Sequence, residues 1–355
     1  MEKTEKNLYT DDLKKDLKLY FIIAFLVPYI MGIPLYMAKK KGLDVTAFPT
    51  AQMFMPAAAV IVIILRRKIR EDLIPKKFFY VYLLSTATML ATCMLTFILD
   101  KNTIINITNI SMMVFSIIGI IVLILEGKEK RKAYGLDLKN TGKILILSLL
   151  FLFLMIVRLI LGAIAEGGIN ELSKVLTNPI IWVTALLMFI NIFFVYIPFL
   201  GEEYGWRYYL QPILQKKYGM VKGVFALGIL WGIWHLPLNL FYYSDGKTGL
   251  ISLIVQIIVC IGLGIFFAYA YAKTQSIWSV VLLHMLNNNW VAVFSGDLTG
   301  KSIENQVYDW KSIPLVLGLI VITYVVFAFS KYVRDKKYRV PTMYERLEEK
   351  SVDYI

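Results

Sequence analysis

The sequence has few cysteines, few histidines and few charged residues. Its two cysteines, Cys93 and Cys260, each lie in a long apolar segment, which excludes a disulfide framework and a CxxC-type metal site. Charged residues make up 18% of the chain, whereas an ordinary globular domain has about a quarter. Several apolar segments exceed the roughly 18 residues that indicate a membrane helix. The chain is therefore predicted to be an integral membrane protein.

The apolar segments predict an all-α, polytopic bundle of about ten transmembrane helices. The predicted spans are 19–38, 50–65, 78–99, 108–125, 144–165, 179–200, 223–243, 249–272, 276–294 and 313–330. With the N-terminus inside, the inner connections hold 29 of the 38 Lys and Arg residues and the outer connections hold eight. The positive-inside rule then predicts that both termini are cytoplasmic, in a bacterial inner or plasma membrane. Anionic lipid at that face accounts for the net charge of +13, and no nucleic-acid partner is needed.

Both histidines of the chain, His235 and His284, fall within apolar spans. Ionisable groups inside a membrane are costly and are functional candidates, although either histidine alone could simply hydrogen-bond a neighbouring helix. His284 and Asn288 are spaced i,i+4 on one helix face, so together they could stabilise an oxyanion or ligate a metal. The chain has no HExxH motif and no Gly-x-Ser-x-Gly elbow, which argues against a zincin or a serine hydrolase.

A pair of carboxylates, Glu202 and Glu203, follows the sixth predicted span. On a helix, Glu203 and Arg207 have the i,i+4 spacing of an ion pair, whereas Glu202 points about 100° away and lacks that partner. An unpaired carboxylate in a low-dielectric cleft suits a general base. The alternative is that residues 201–217 form a solvated loop without a function.

The distances of Glu202, His235 and His284 from basic residues along the chain indicate how deep each side chain lies in the membrane. If the flanking segments are helical, Glu202, His235 and His284 lie roughly 21, 20 and 17 Å from a basic inner edge. The three would then share one layer of the membrane. This requires the helix that carries Glu202 to continue to about Gln215 despite Pro212.

Three motifs on three separate membrane helices resemble the CPBP family, the CAAX-protease and bacteriocin-processing intramembrane proteases. In chain order these are Glu202-Glu203-x-x-x-Arg207, Trp231-x-x-x-His235 and His284-x-x-x-Asn288. The resemblance covers about 144–331, which we take as the protease core. Residues 1–143 form an N-terminal four-helix transmembrane region outside it, and 332–355 form a charged cytoplasmic tail. The family usually has phenylalanine at the position of Trp231, which we interpret as a conservative aromatic change.

The resemblance implies an intramembrane endopeptidase. Glu202 and His235 would activate water, His284 and Asn288 would bind the oxyanion, and Glu203, Arg207 and Trp231 would support them. Family members are commonly labelled metalloproteases, so the cofactor stays open. A divalent metal such as zinc would need His235, His284 and either Glu202 or Glu203 as ligands, and we favour a metal-free glutamate mechanism.

The expected partners are membrane lipid and a membrane-associated peptide or protein substrate, either prenylated or a bacteriocin precursor. Two functions of other classes compete with this interpretation. A secondary transporter would have interrupted helices in both halves, whereas the polar groups here cluster in the second half. A non-catalytic bacteriocin-immunity membrane protein could do without Glu202, and the retention of every motif residue argues against it.

Overall fold

The computed structural model describes residues 2–295 and 304–352, which form helices and no β-strand. Nine helices in this part of the chain are long and apolar enough to cross a membrane. We number them α1 to α9 and a shorter apolar helix α10. Their bounds are Asp11–Lys40, Ala47–Arg67, Lys76–Leu95, Lys101–Leu125, Thr141–Glu166, Pro179–Tyr218, Met220–Phe241, Gly249–Thr274, Ile277–Phe294 and Ser312–Thr323. The prediction of an all-α, multi-pass membrane protein is confirmed.

The last predicted span, 313–330, is not one continuous helix. Helix α10 has 12 residues, and a short 3₁₀ segment, Val325–Phe329, follows Tyr324. Twelve residues reach roughly 18 Å, which is less than the ~30 Å of a bilayer's hydrocarbon core. Of the ten predicted spans, nine are long helices in the described residues, and the tenth is a shorter helix that ends before Tyr324.

Contacts between connecting segments show which of them share an end of the bundle. Arg67 Nε donates to the buried Asp16 carboxylate at 2.9 Å, and Tyr344 Oη donates to the same carboxylate at 2.7 Å. The N-terminal segment, the connection after α2 and the C-terminal tail therefore meet at one end, here called the terminal end. At the other end, the distal end, Lys39 Nζ donates to the Ser244 carbonyl at 3.0 Å. The prediction that 66–77 and the tail lie on the same side is confirmed.

Helix α6 runs for 40 residues and includes a π-helical segment, Tyr204–Leu210. The π-helical segment ends two residues before Pro212. Pro212 therefore lies in the first turn of the α-helical segment that follows, where the missing N–H of proline is tolerated. The helix therefore continues past Gln215, as the depth argument requires. Residues 201–215 are buried, so the alternative of a solvated loop is wrong.

Two glycines bring α6 against α2 beside the carboxylate pair. A Cβ on Gly201 would lie 2.3 Å from the Met53 carbonyl oxygen, and one on Gly205 would lie 2.2 Å from Pro56 Cβ. Any larger residue would push the helices apart, as expected for small residues at a membrane helix interface. The close crossing places Glu202 and Glu203 in the interior of the bundle.

Helix α7 consists of two segments, Met220–Trp234 and Leu236–Phe241, with a break at His235. The break comes two residues before Pro237, which cannot donate a backbone hydrogen bond. Side chains of other helices satisfy the carbonyls at the break, because Tyr29 Oη donates to Ile233 O at 2.8 Å and Gln52 Nε2 to Trp234 O at 2.9 Å. The interruption is thus a stable feature that positions His235.

Candidate active site

The four residues predicted to be catalytic line one cavity of about 680 Å³. Glu202 comes from α6, His235 from the break in α7, and His284 and Asn288 from one face of α9. Much of the remaining wall is apolar and belongs to α5, α8 and α10. A mostly apolar cavity of this size with a few convergent polar groups is typical of a ligand-binding site.

The cavity extends towards the distal end of the bundle. Its lining includes the exposed Glu166 at the distal end of α5, and Gln306 and Tyr308 from the segment before α10. The lining residues that the other helices contribute lie in the distal or central turns of those helices. Towards the terminal end, the turns of α6 after Glu202 carry the fully buried Tyr204 and Tyr208. The polar site is therefore reached from the distal end.

Glu202 is buried, with 2% of its surface exposed, and is held by Trp231. The indole Nε1–H of Trp231 donates to Glu202 Oε2 at 2.7 Å. The expectation that Glu202 lacks a partner is wrong, because the sequence spacing considered only neighbours on its own helix. Tryptophan in place of the family's usual phenylalanine is also more than a conservative change, since phenylalanine has no N–H to donate.

The ring of His235 is oriented by its own helix. His235 Nδ1 lies 2.8 Å from the Trp231 carbonyl oxygen. A carbonyl can only accept, so Nδ1 carries the proton and Nε2 keeps its lone pair in the neutral ring. The Trp234 ring packs edge-on against the imidazole at a centroid distance of 4.8 Å. His235 can thus act as a base through Nε2.

Glu203 joins Arg207 to His284. Its Oε2 accepts from Arg207 Nε at 3.0 Å, which confirms the predicted ion pair, and its Oε1 lies 2.8 Å from His284 Nδ1. The contact with His284 was not predicted, because the two residues are 81 positions apart. Both members of the ion pair are fully buried, and the guanidinium also lies 4.9 Å from the centre of the Trp231 ring. Glu203 therefore fixes the orientation of His284.

His284 and Asn288 present polar atoms on the same face of α9, and both line the cavity. Because His284 Nδ1 binds Glu203, Nε2 is the nitrogen left for a ligand. Asn287 Nδ2 donates to Asn288 Oδ1 at 3.0 Å, so the Asn288 amide N–H groups stay available. Two donors in adjacent turns of one helix can bind one oxygen atom that bears negative charge.

The metal ligands considered from the sequence do not form a metal-binding group in the described residues. There, no three His, Cys, Asp or Glu side chains lie close enough to share an ion. Glu203 already binds Arg207 and His284, and one oxygen of Glu202 accepts from Trp231. A catalytic zinc ordinarily has three protein ligands, and this arrangement does not fit that requirement.

Sequence analysis missed a polar group beside His235. Asn239 Nδ2 donates to the His235 carbonyl at 3.0 Å, and its Oδ1 accepts from Ser252 Oγ at 2.6 Å. Both Asn239 and Ser252 line the cavity. The spacing of Asn239, four residues after His235, was a signal that could have found it. Ser252 stands alone in an apolar span and gave no such signal.

Comparisons with known proteins found two relatives of this chain. Residues 177–290 match the model of a family described as Rce1-like, type II CAAX prenyl endopeptidase. The chain is also 29% identical over 92 residues to a CAAX prenyl protease 2 of Methanococcus maripaludis. That match covers 24% of the chain and 34% of the relative, so the chain spans about a third of the length of the curated relative. No solved structure matches significantly. The two matches confirm the resemblance to the CPBP family.

Proposed function

We propose, from the CPBP resemblance of residues 177–290, that the chain is an intramembrane endopeptidase acting on a membrane-associated peptide or protein. The observation that carries the proposal is the convergence of Glu202, His235, His284 and Asn288 on one cavity within the bundle. These residues come from three helices and lie up to 86 positions apart. A shared cavity supports a shared chemical task more strongly than a set of separate packing roles does.

In the proposed reaction, a water molecule lies between Glu202 and His235. Glu202 takes a proton from the water while the water oxygen forms a bond with the peptide carbonyl carbon. The π electrons of the carbonyl group move onto the carbonyl oxygen. Asn288 Nδ2–H and His284 Nε2–H donate to that oxyanion, and Glu203 stabilises the protonated ring of His284. The C–N bond then breaks, and the leaving nitrogen takes the proton from Glu202. The second proton of the water passes from the new carboxyl group to His235 Nε2 and then to the amine, so the products are a carboxylate and an ammonium group.

The catalytic groups in this proposal act without a metal. The ion pair between Glu203 and Arg207 supports a metal-free mechanism, because Glu203 as a metal ligand would leave Arg207 with no carboxylate partner. Removal of such a partner from a buried charge is strongly destabilising. We expect a chelator to leave turnover nearly unchanged. Loss of turnover on chelation, restored by added zinc, would show that the metal-dependent mechanism is correct.

The end at which the cavity opens bears on the substrate. The positive-inside rule assigns the terminal end to the cytoplasm, so the distal opening would face the opposite side. A peptide would then approach from the extracytoplasmic side or from the adjacent lipid. This favours a precursor peptide that has crossed or inserted into the membrane over a prenylated cytoplasmic protein.

Two carboxyl-to-amide variants test the proposal. The purified chain is reconstituted in lipid vesicles with a library of membrane-associated peptides, and the products are identified by mass spectrometry. We expect Glu202→Gln to lower turnover about 100-fold or more, since a general base contributes roughly 10²–10⁴-fold. Glu166→Gln is the matched control, because Glu166 lines the same cavity but is exposed at its rim. Binding without cleavage by wild type would instead support the immunity-protein alternative.

A further inference from the structure

Arg158 is a charged residue of membrane helix α5 that the proposed catalytic set does not use. Its side chain lines the same cavity as Glu202 and His235. Within residues 11–294 and 304–348, no hydrogen bond or salt bridge engages its guanidinium, which lies over an aromatic ring. A charge inside a membrane span is costly and ordinarily marks a functional site.

Arg158 lies between the catalytic groups and the distal rim of the cavity. Asn140 Nδ2, just before α5, donates to the Thr274 carbonyl, three residues before the start of α9, so the two helices begin at a similar level. Arg158 is 17 residues after the start of α5, or roughly 25 Å along the helix, and His284 is seven residues after the start of α9, or roughly 10 Å. The difference of roughly 15 Å corresponds to about five residues of extended peptide. A peptide that extends from the catalytic groups towards the rim could contact both.

The environment of Arg158 leaves its donors available. Its guanidinium carbon lies over the Tyr324 ring, 5.7 Å from the ring centre. An aromatic face stabilises the cation but accepts none of its directed N–H bonds in the guanidinium plane. Those N–H groups form a rigid fork that matches the two oxygens of a carboxylate.

We propose that Arg158 binds a carboxylate of the peptide substrate within the cavity. This rests on the proposed function, because it assigns the ligand to the same site. The carboxylate comes either from the C-terminus of the peptide or from an acidic side chain a few residues from the scissile bond. In both cases the charge pairs with a guanidinium in a low-dielectric cavity, where the interaction is stronger than in water. The pair selects anionic peptides from the many apolar segments in the membrane.

A binding experiment separates this proposal from catalysis. The Glu202→Gln variant in detergent micelles is titrated with fluorescent apolar hexapeptides, each made as the C-terminal acid and as the amide. A second pair carries an internal Asp or Asn. We expect one acid to bind at least about tenfold more tightly than its neutral counterpart, as for a charge-assisted hydrogen bond. The pair that shows the preference identifies the source of the carboxylate.

When Arg158→Gln is combined with Glu202→Gln, we expect the preference for the acid over its neutral counterpart to disappear. With Arg158→Lys in its place, part of the preference should remain. Lys247→Gln, added in place of the Arg158 variant, is the matched control because it removes an exposed cation at the distal end outside the cavity lining. Thermal unfolding of each variant shows that it is folded. Equal binding of acids and amides, no saturable binding of any acid, or a preference that survives Arg158→Gln would overturn the proposal. Failure of the proposed function would instead appear as no cleavage of any peptide by wild type.

Discussion

The hydrogen bond from Trp231 to Glu202 allows a quantitative prediction about catalysis. Trp231→Phe keeps an aromatic ring but removes the N–H that donates to Glu202 Oε2 at 2.7 Å. A hydrogen bond to a charged group contributes about 1.5–3 kcal/mol. If that bond orients Glu202 for proton transfer, its loss raises the barrier by a similar amount, which corresponds to roughly 10- to 150-fold in rate. We therefore expect kcat/KM to fall within that range.

The control for this prediction is a second tryptophan outside the cavity. Trp290 is fully buried on α9 and donates Nε1–H to the Ala185 carbonyl at 3.0 Å. Trp290→Phe removes an equivalent buried donor, so it should lower the thermal unfolding temperature without a comparable loss of kcat/KM. Peptide cleavage and thermal unfolding are measured for both variants. The reasoning is refuted if Trp231→Phe stays within twofold of wild type, or if both variants lose activity only in proportion to their stability.

Three further predictions concern stability. Glu203→Gln leaves the buried Arg207 without its carboxylate partner and should destabilise the protein by about 3–5 kcal/mol in thermal or denaturant unfolding. Gly205→Ala places a methyl group within contact of the Pro56 backbone and should cost about 1–3 kcal/mol or more, measured in the same way. The third concerns Glu345 in the C-terminal tail. Burial alone would raise the pKa of Glu345, but hydrogen bonds from Arg339, Thr342 and Lys216 lower it to about 2. This stabilisation is present above the ordinary carboxyl pKa of about 4.5 and is lost as the pH falls towards 2. Amide hydrogen-exchange protection of the tail should therefore decrease over that range.

Each of these predictions has a matched control. Glu171→Gln removes a carboxylate from an exposed ion pair with Lys174 and should cost less than about 1 kcal/mol. Gly162→Ala adds a methyl group whose nearest neighbour is 3.6 Å away, so it should be tolerated. Glu345→Gln should remove the acid dependence of the tail's protection. Unchanged stability in Glu203→Gln or Gly205→Ala, or constant protection of the wild-type tail from pH 5 to 2.5, would contradict the respective explanation.

Local sequence patterns predicted much of the fold, because apolar length and charge asymmetry act on each span separately. The i,i+4 rule likewise predicted the Glu203–Arg207 pair, which lies within one helix. The interruption at Tyr324 was missed because the apolar pattern of 313–330 continues through it. Average hydropathy does not register a local change of backbone conformation.

Contacts between helices could not be predicted in the same way. The bonds from Trp231 to Glu202 and from Glu203 to His284 join different spans, and their existence depends on how the helices cross. The close approach at Gly201 and Gly205 determines one of these crossings. The spacing of the glycines was visible in the sequence, but the helix that packs against them was not.

The central claim is that the cavity hydrolyses a peptide bond with water activated at Glu202. The most direct test incubates the reconstituted protein with a cleaved peptide in H₂¹⁸O and analyses the first-turnover products by mass spectrometry. We predict one ¹⁸O atom in the new C-terminal carboxylate with wild type and with Glu166→Gln, and no product with Glu202→Gln. Wild type that cleaves no peptide, or Glu202→Gln that yields labelled product at the wild-type rate, would contradict the account.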